Sequence, residues 1–468
     1  MSTVDPRPAD TAARLPHRLP DGSGLELGTA MVAYQIEGAV DVDGRGPSVW
    51  DTFTARPGTI KDASSGATAC DSYHRHLEDA DLVAGLGVRW YRFSIAWPRI
   101  QPEGRGRVET RGLDHYDRVV DALLERGIVP TATLYHLDLP QALEDEGGWL
   151  VRSTAEAFAD YAEVVADRLA DRVGVWATHN EPWCTAYLGH AAGVFAPGRR
   201  EGGGAHRAVH HLNLSHALAA ERIRAAHAVD VGTVLNLAPV WPERPEAEPL
   251  AERIDALRNR VWLDPLVDGE YGESVLAVAP ELADAELVRP GDLELVQGSA
   301  DWLGVNYYTP TRPDLVVPGR PPHPEGAAYP GVGDFDLVVR EPRTDIGWEV
   351  VADGLEELLV ETHRRTGLPI LVTENGAACA DAERVDGVVQ DDDRIDYLRG
   401  HLAATHRARA AGADVRAYVV WTLLDNFEWA EGYTKTFGLV HIDPADQTRT
   451  PKASYRWLAQ VARGEVTP

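Results

Sequence analysis

Eight short apolar runs, separated by stretches of helical periodicity, constrain this chain more than any other feature. They are Leu25–Ala33, Trp90–Trp97, Ile128–Tyr135, the stretch from Val173 to Asn180, Val231–Val240, Trp302–Tyr307, Pro369–Thr373 and Val415–Trp421. Runs of this length, bounded by turn residues, suit strands buried on both faces. Between them lie amphipathic helices. Residues 113, 116, 119, 120, 123 and 124 are apolar, which is one face of a helix over 113–126, and Gly127 follows as a C′ residue. Ser153 and Glu156 read as a capping box opening a second helix whose apolar face is Phe158, Tyr161, Val164, Val165 and Leu169. Strands alternating with helices predict an α/β fold around a parallel sheet, closed or doubly wound. Eight strands favour closure, so the expectation is a single (β/α)8 barrel over residues 18–468, with elaborated loops at its C-terminal face, after a flexible leader over 1–17. Barrels of this kind run past about 400 residues as one unit when they carry insertions.

Composition removes several function classes. With 45 Lys and Arg against 73 Asp and Glu, the net charge is −28. Such a surface repels phosphate backbones and anionic lipid, which argues against nucleic acid and membrane partners. No run approaches the ~18 apolar residues of a membrane span. The first seventeen residues lack the apolar core of a signal peptide, so a cytoplasmic location is expected. The three cysteines, Cys70, Cys184 and Cys379, form no CxxC pair and suggest neither a disulfide framework nor a zinc site. Cys184 and Cys379 read as small packing residues. His206, His210, His211 and His216 cluster on one helical segment, but no HExxH pattern occurs. No metal and no cofactor are expected.

In a closed parallel barrel the active site lies at the C-terminal ends of the strands. Here most of those ends are polar. The first run leads into Tyr34-Gln35-Ile36-Glu37, the third into His136 and the fourth into Asn180-Glu181. The sixth leads into Asn306-Tyr307-Tyr308, the seventh into Glu374-Asn375-Gly376, and the eighth is followed by Glu428-Trp429. Gly376 is read as permitting a turn. Glu181 and Glu374 come from opposite sides of an eight-stranded ring and face one mouth. Two facing carboxyls suit glycoside hydrolysis, one protonating the leaving oxygen and the other attacking or stabilising an oxocarbenium-like centre. The segment 310–344, rich in Pro and Gly, reads as a loop shaping one pocket wall.

Six stretches, in order, carry a more specific resemblance: Ala33-Tyr34-Gln35-Ile36-Glu37-Gly38, Tyr91 to Arg99, Asn180-Glu181-Pro182, Asn306-Tyr307-Tyr308, Thr373-Glu374-Asn375-Gly376 and Leu424 to Trp429. From about Leu25 to the C-terminus the chain resembles the β-glucosidases of glycoside hydrolase family 1. The resemblance implies a TIM barrel acting as a retaining exo-β-glycosidase on a small-molecule β-glycoside, without a cofactor. It implies Glu374 as nucleophile and Glu181 as acid/base, with Arg92 and the Tyr308 hydroxyl holding the charge of Glu374. Gln35, His136, Asn180 and Glu428 would bind glycone hydroxyls. Trp421 and Trp429 would form floor and wall, and Trp348 the aglycone platform. Asn306 and Phe437 complete the expected substrate-binding set.

Two departures from the family pattern stand out. Leu137 follows His136 where an indole is usual, which bears on glycone preference. His179 replaces an apolar residue and reads either as a bias on the acid/base or as a hydrogen-bonded core histidine. The carboxylate Glu428, with Phe437 offering no hydroxyl, argues against a 6-phosphoglycosidase, and Glu181 argues against a thioglucosidase. A β-galactosidase, a β-fucosidase or a transglycosylase would use the same carboxylate pair. A non-catalytic sugar-binding barrel would be expected to lack one of the two.

Overall fold

Eight parallel strands hydrogen-bond in chain order and close into a barrel. In the computed structural model, which describes residues 13–15, 24–317, 319, 323–382 and 384–467, they are β1 (Glu26–Ala30), β2 (Trp90–Ser94), β3 (Val129–Tyr135), β4 (Val175–Asn180), β5 (Asp230–Leu235), β6 (Trp302–Asn306), β7 (Ile370–Asn375) and β8 (Val415–Trp421). Helices surround the ring, among them Thr110–Glu125, Arg152–Leu169, His206–Ala226, Ala352–Thr366 and Asp392–Ala410. The expected (β/α)8 barrel is therefore the observed fold. Among the described residues, no helix is long and apolar enough to cross a membrane.

The barrel interior is filled rather than hollow at its lower end. Trp90, Val129, Val175, Ala177, Val234, Trp302, Leu371 and Ala417 form one buried cluster, and Leu15 joins it. Most of the expected leader lies outside the described residues. Ala13, Arg14 and Leu15 within it are docked: Arg14 pairs with Asp230 at 2.9 Å, and the Leu15 amide donates to the same carboxylate at 2.9 Å. A buried leucine held this way is not a loose tail.

Several local expectations are corrected. The first strand stops at Ala30, and Ala33–Ile36 is a helical turn. The turn is pinned where the Ser94 hydroxyl accepts from the Ala33 amide at 2.8 Å, so Gln35 is presented from a turn, not a strand end. The second strand ends at Ser94, and Pro98 sits in the first turn of a short helix at Trp97–Ile100. The fifth ends at Leu235, and Val240 makes an isolated bridge to Thr311 instead. The Ser153–Glu156 capping box does not form. The helix begins at Arg152, whose guanidinium is drawn to Asp292 by two hydrogen bonds of 2.7 and 2.8 Å, and Ser153 is left inside the first turn. Gly127 does follow the helix Thr110–Glu125 with a left-handed φ of +73°.

Gly376 is required for a different reason from the one expected. A Cβ there would lie 1.8 Å from the Trp421 carbonyl oxygen, so only glycine lets β7 and β8 approach this closely just beyond Glu374. The described part of 310–344 packs as a wall. Pro313–Asp314 pairs with Asp336–Leu337, and the Tyr329 ring lies 5.4 Å from the Trp183 ring beyond β4.

Candidate active site

The strand ends bring the two expected carboxylates into one hydrogen-bonded network. Asn306, the last residue of β6, donates from Nδ2 to Oε1 of Glu181 at 2.8 Å and to Oδ1 of Asn180 at 3.1 Å. Arg92, on β2, donates to the same Asn180 oxygen at 2.6 Å and to Oε1 of Glu374 at 2.6 Å. Its third contact is to the Thr133 hydroxyl at 3.0 Å. The Tyr308 hydroxyl donates to the other Glu374 oxygen at 2.8 Å. A continuous chain therefore runs Glu181–Asn306–Asn180–Arg92–Glu374.

Backbone geometry explains why neighbours Asn180 and Glu181 both reach Asn306. Side chains alternate across a strand, so consecutive residues should face opposite ways. Glu181 has φ = +47°, in the left-handed region. That conformation costs a non-glycine residue roughly 1–3 kcal/mol and is characteristic of functional sites. Here it breaks the alternation and turns the carboxyl back into the mouth.

The electrostatics separate the carboxyls by environment. Glu374 is fully buried, and burial raises its pKa above the ordinary carboxylate range. The Arg92 guanidinium opposes that rise, the Glu181 carboxyl adds to it, and the Tyr308 hydroxyl also favours the charged form. With two short donors, Glu374 is the carboxylate best equipped to carry charge. Burial pushes the Tyr308 phenol well above its usual value, helped by Glu374, so it stays a donor. Glu428 is raised to about 8, first by desolvation, then by Glu374 and Glu181. Its protein contact is weak, a 3.5 Å hydrogen bond from Gln35 Nε2.

The glycone-side residues show open valences. Gln35 Nε2 donates to Asn426 Oδ1 at 3.0 Å and to the Phe427 carbonyl at 2.8 Å, and its Oε1 is buried without a protein partner. His136 Nε2 accepts from Asn180 Nδ2 at 3.0 Å, and burial, reinforced by Arg92, holds the ring well below its usual pKa. The proton of this neutral ring therefore sits on Nδ1, which is buried and likewise unpartnered. An orphaned acceptor and an orphaned donor in one mouth match the valences of a polyol. The His136 ring lies nearly parallel to Trp421 and to Trp429, at 6.2 and 5.9 Å. Trp429 in turn lies 4.6 Å from Trp50. On the outer side, Tyr308, Trp348 and Phe437 form an aromatic group with centroid separations of 5.2 to 6.2 Å. Lys435 is committed to this wall: Nζ donates to the Asp345 carboxylate at 2.7 Å, just before Trp348.

The two readings of His179 are now separated. Its ring stacks on Phe158 at 4.5 Å, lies 5.5 Å from both Tyr135 and Trp149, and bonds Ser215 Oγ at 2.8 Å. It sits between barrel and helices as a core histidine, away from the Glu181 carboxyl. The helical histidines are also engaged. His206 bonds Glu281, His210 bonds Asp292 and Tyr271, His211 bonds the Trp149 carbonyl, and His216 bonds Thr178. Among the described residues, no group of three His, Cys, Asp or Glu side chains is placed to hold a metal ion.

Sequence reasoning missed three contributors. Cys184 is more than a packing residue, because its thiol donates to Glu181 Oε2 at 3.0 Å. The i,i+3 spacing from Glu181 into a helical turn was the available signal. Asn236, one residue past β5, donates to the Cys184 sulfur at 3.5 Å. Asp425 anchors the Glu428 loop by accepting from the buried Lys452 at 2.7 Å and from the Gly438 amide at 2.9 Å.

Glu428 gives a stability prediction. A carboxyl whose folded pKa exceeds its unfolded value binds its proton more tightly in the folded state. Its contribution is full below the unfolded value, near 4.5, and is lost as pH rises toward about 8. Glu428→Gln removes that loss. The variant is expected to melt about 2 °C above wild type at pH 8, with a smaller difference at pH 5. Calorimetry at the two pH values checks it.

The chain matches the family model described as "Glycosyl hydrolase family 1" over residues 19–466. It is 45% identical over 449 residues to a bifunctional β-D-glucosidase/β-D-fucosidase of Bifidobacterium breve, covering 93% of this chain and 96% of the relative. It is 47% identical over 448 residues to thermostable β-glucosidase B of Thermobispora bispora, covering 94% and 90%. The family 1 β-glucosidase of Thermotoga maritima superposes with a TM-score of 0.88 at 39% identity, covering 96% of this chain and all of that one. On the ordered strand-end motifs, the closed barrel and these matches, the chain belongs to glycosyl hydrolase family 1.

Proposed function

We propose that the protein is a retaining exo-β-glycosidase that releases terminal β-D-glucosyl residues from β-glucosides or short oligosaccharides. Glu374 attacks the anomeric carbon as the glycosidic C–O bond breaks, and Glu181 delivers its proton to the departing oxygen. Loss of the Glu374 charge in the glycosyl-enzyme then favours Glu181 as a base. Water attacks the anomeric carbon, its proton passes to Glu181, and the Glu374 carboxylate is released. The observation that carries this reading is the pairing of Glu374 with Arg92 and Tyr308 at 2.6 and 2.8 Å, across the mouth from Glu181. Gln35, His136, Asn180 and Glu428 bind glycone hydroxyls, Trp421 and Trp429 bracket the ring, and Trp348 with Phe437 receives the aglycone. Free thiols at Cys70, Cys184 and Cys379 support a reducing, cytoplasmic setting.

A β-fucoside is the favoured second substrate. Leu137 stands where the family usually has an indole, and the B. breve relative carries both activities in its name. A nitrophenyl panel tests the assignment. Glucoside and fucoside are expected to be hydrolysed. The 6-phosphoglucoside is expected to lag by at least about 10²-fold, because Glu428 supplies no cation, Phe437 offers no hydroxyl, and Lys435 is already paired with Asp345. Preference for the phosphorylated sugar would contradict the proposal.

A further inference from the structure

The acid/base carboxyl is held from two sides, and one holder is a thiol. Oε1 of Glu181 accepts from Asn306 at 2.8 Å, and Oε2 faces the Cys184 sulfur at 3.0 Å. The backbone builds this contact. The Cys184 amide donates to the Glu181 carbonyl at 2.9 Å, opening the helical stretch Cys184–Ala192 and folding Sγ back over the carboxyl. Behind the sulfur, Asn236 Nδ2 donates to it at 3.5 Å. Two donors thus stand in series before one acceptor, Asn236 to sulfur and sulfur to carboxyl oxygen, an arrangement that polarises the thiol toward Glu181.

We propose that Cys184 is a positioning residue of the reaction, its thiol donating to Glu181 Oε2 so that the carboxyl keeps the rotamer facing the glycosidic oxygen and releases its proton more readily. The inference rests on Glu181 as acid/base and adds the group that tunes it. A donor to a carboxyl oxygen favours the ionised form. An S–H group is a weak donor, so the effect is a modest bias and not a switch. Burial, reinforced by Glu181, keeps the thiol well above its usual pKa, so it stays protonated throughout the working range. Its role is to lend a hydrogen bond, with no change in its own covalent or redox state.

The other groups around the Glu181 carboxyl come from elements other than the one that carries Cys184. They are Glu374 from β7, Asn306 at the end of β6, Tyr308 two residues beyond it and Glu428 from the loop after β8; Arg258, whose guanidinium lies 4.3 Å over the Trp183 ring, acts on the Cys184 thiol itself. All of them remain in every Cys184 variant, so a shift shared by Val and Ala and absent in Ser reports the donor.

The test is the pH dependence of kcat/KM on nitrophenyl β-glucoside for wild type, Cys184→Val, Cys184→Ala and Cys184→Ser. Without a donor, as in Val or Ala, the alkaline limb moves up by about half a pH unit, and the Ser variant stays within about 0.2 unit of wild type. Two donor-free variants of different volume guard against a packing defect in either one. In a Glu181→Gln background, which itself removes the alkaline limb, Cys184→Ala changes the profile no further. A limb that stays at the wild-type position in both Val and Ala, or moves as far in Ser as in Ala, overturns the role of the thiol. A Glu181→Gln variant that keeps the wild-type limb overturns the acid/base assignment, and the thiol inference with it.

Discussion

Glu374→Gln is expected to lower kcat on nitrophenyl β-glucoside by about 10⁴- to 10⁶-fold, the scale seen when a covalent nucleophile is removed. The amide is isosteric: its oxygen can still accept from Arg92, which now donates to Oε1 at 2.6 Å, while its NH2 meets the Tyr308 hydroxyl, which now donates to Oε2 at 2.8 Å and can turn to accept. The barrel should therefore remain intact, with an unchanged circular dichroism spectrum. What disappears is the charge that attacks the anomeric carbon. The variant distinguishes a nucleophile from a merely structural partner of Arg92. A merely structural partner would make both variants lose stability, Glu374→Ala the more because it also removes the acceptor facing the buried guanidinium, while folded protein kept near wild-type turnover.

Glu181→Ala has a different signature. With a poor leaving group, kcat/KM is expected to fall about 10²- to 10⁴-fold, the contribution of a positioned general acid. With a dinitrophenyl leaving group, which needs no proton, glycosylation should proceed and the second step should become limiting. The glycosyl-enzyme then accumulates, seen as a burst of phenol followed by slow turnover. Azide needs no general base and should restore turnover, giving the β-glycosyl azide. Absence of both burst and rescue would remove Glu181 from the acid/base role. Asn306, which donates to both Asn180 and Glu181, would remain as the link that gives the two carboxyls one network.

The barrel was legible because its strands are short apolar runs, most of them followed by polar residues, a pattern set by burial on both faces. The strand-end residues were legible for the same reason: Asn180, Asn306 and Glu374 stand where apolar character stops. Other features depended on three-dimensional closure. The Ser153–Glu156 capping box gives way to a helix that starts at Arg152, where the guanidinium pairs with Asp292, far along the chain. The need for Gly376 lies in the Trp421 carbonyl, on another strand. A count of regular alternation along β4 would put His179 on the same side as Glu181. The left-handed φ of Glu181 reverses that count, and no residue-type signal announces it. The thiol contact of Cys184 was within reach of helical spacing, but Asn236 behind it was not.

The central claim is a double displacement through Glu374. It is tested most directly by incubating the enzyme with a 2-deoxy-2-fluoro-β-glucoside bearing an activated leaving group and locating the label by peptide mass spectrometry. The fluorine slows both steps and the leaving group restores the first, so a covalent intermediate is trapped. The account predicts one fluoroglucosyl group per chain, on Glu374. Labelling of another residue, or turnover without any covalent adduct, would contradict it.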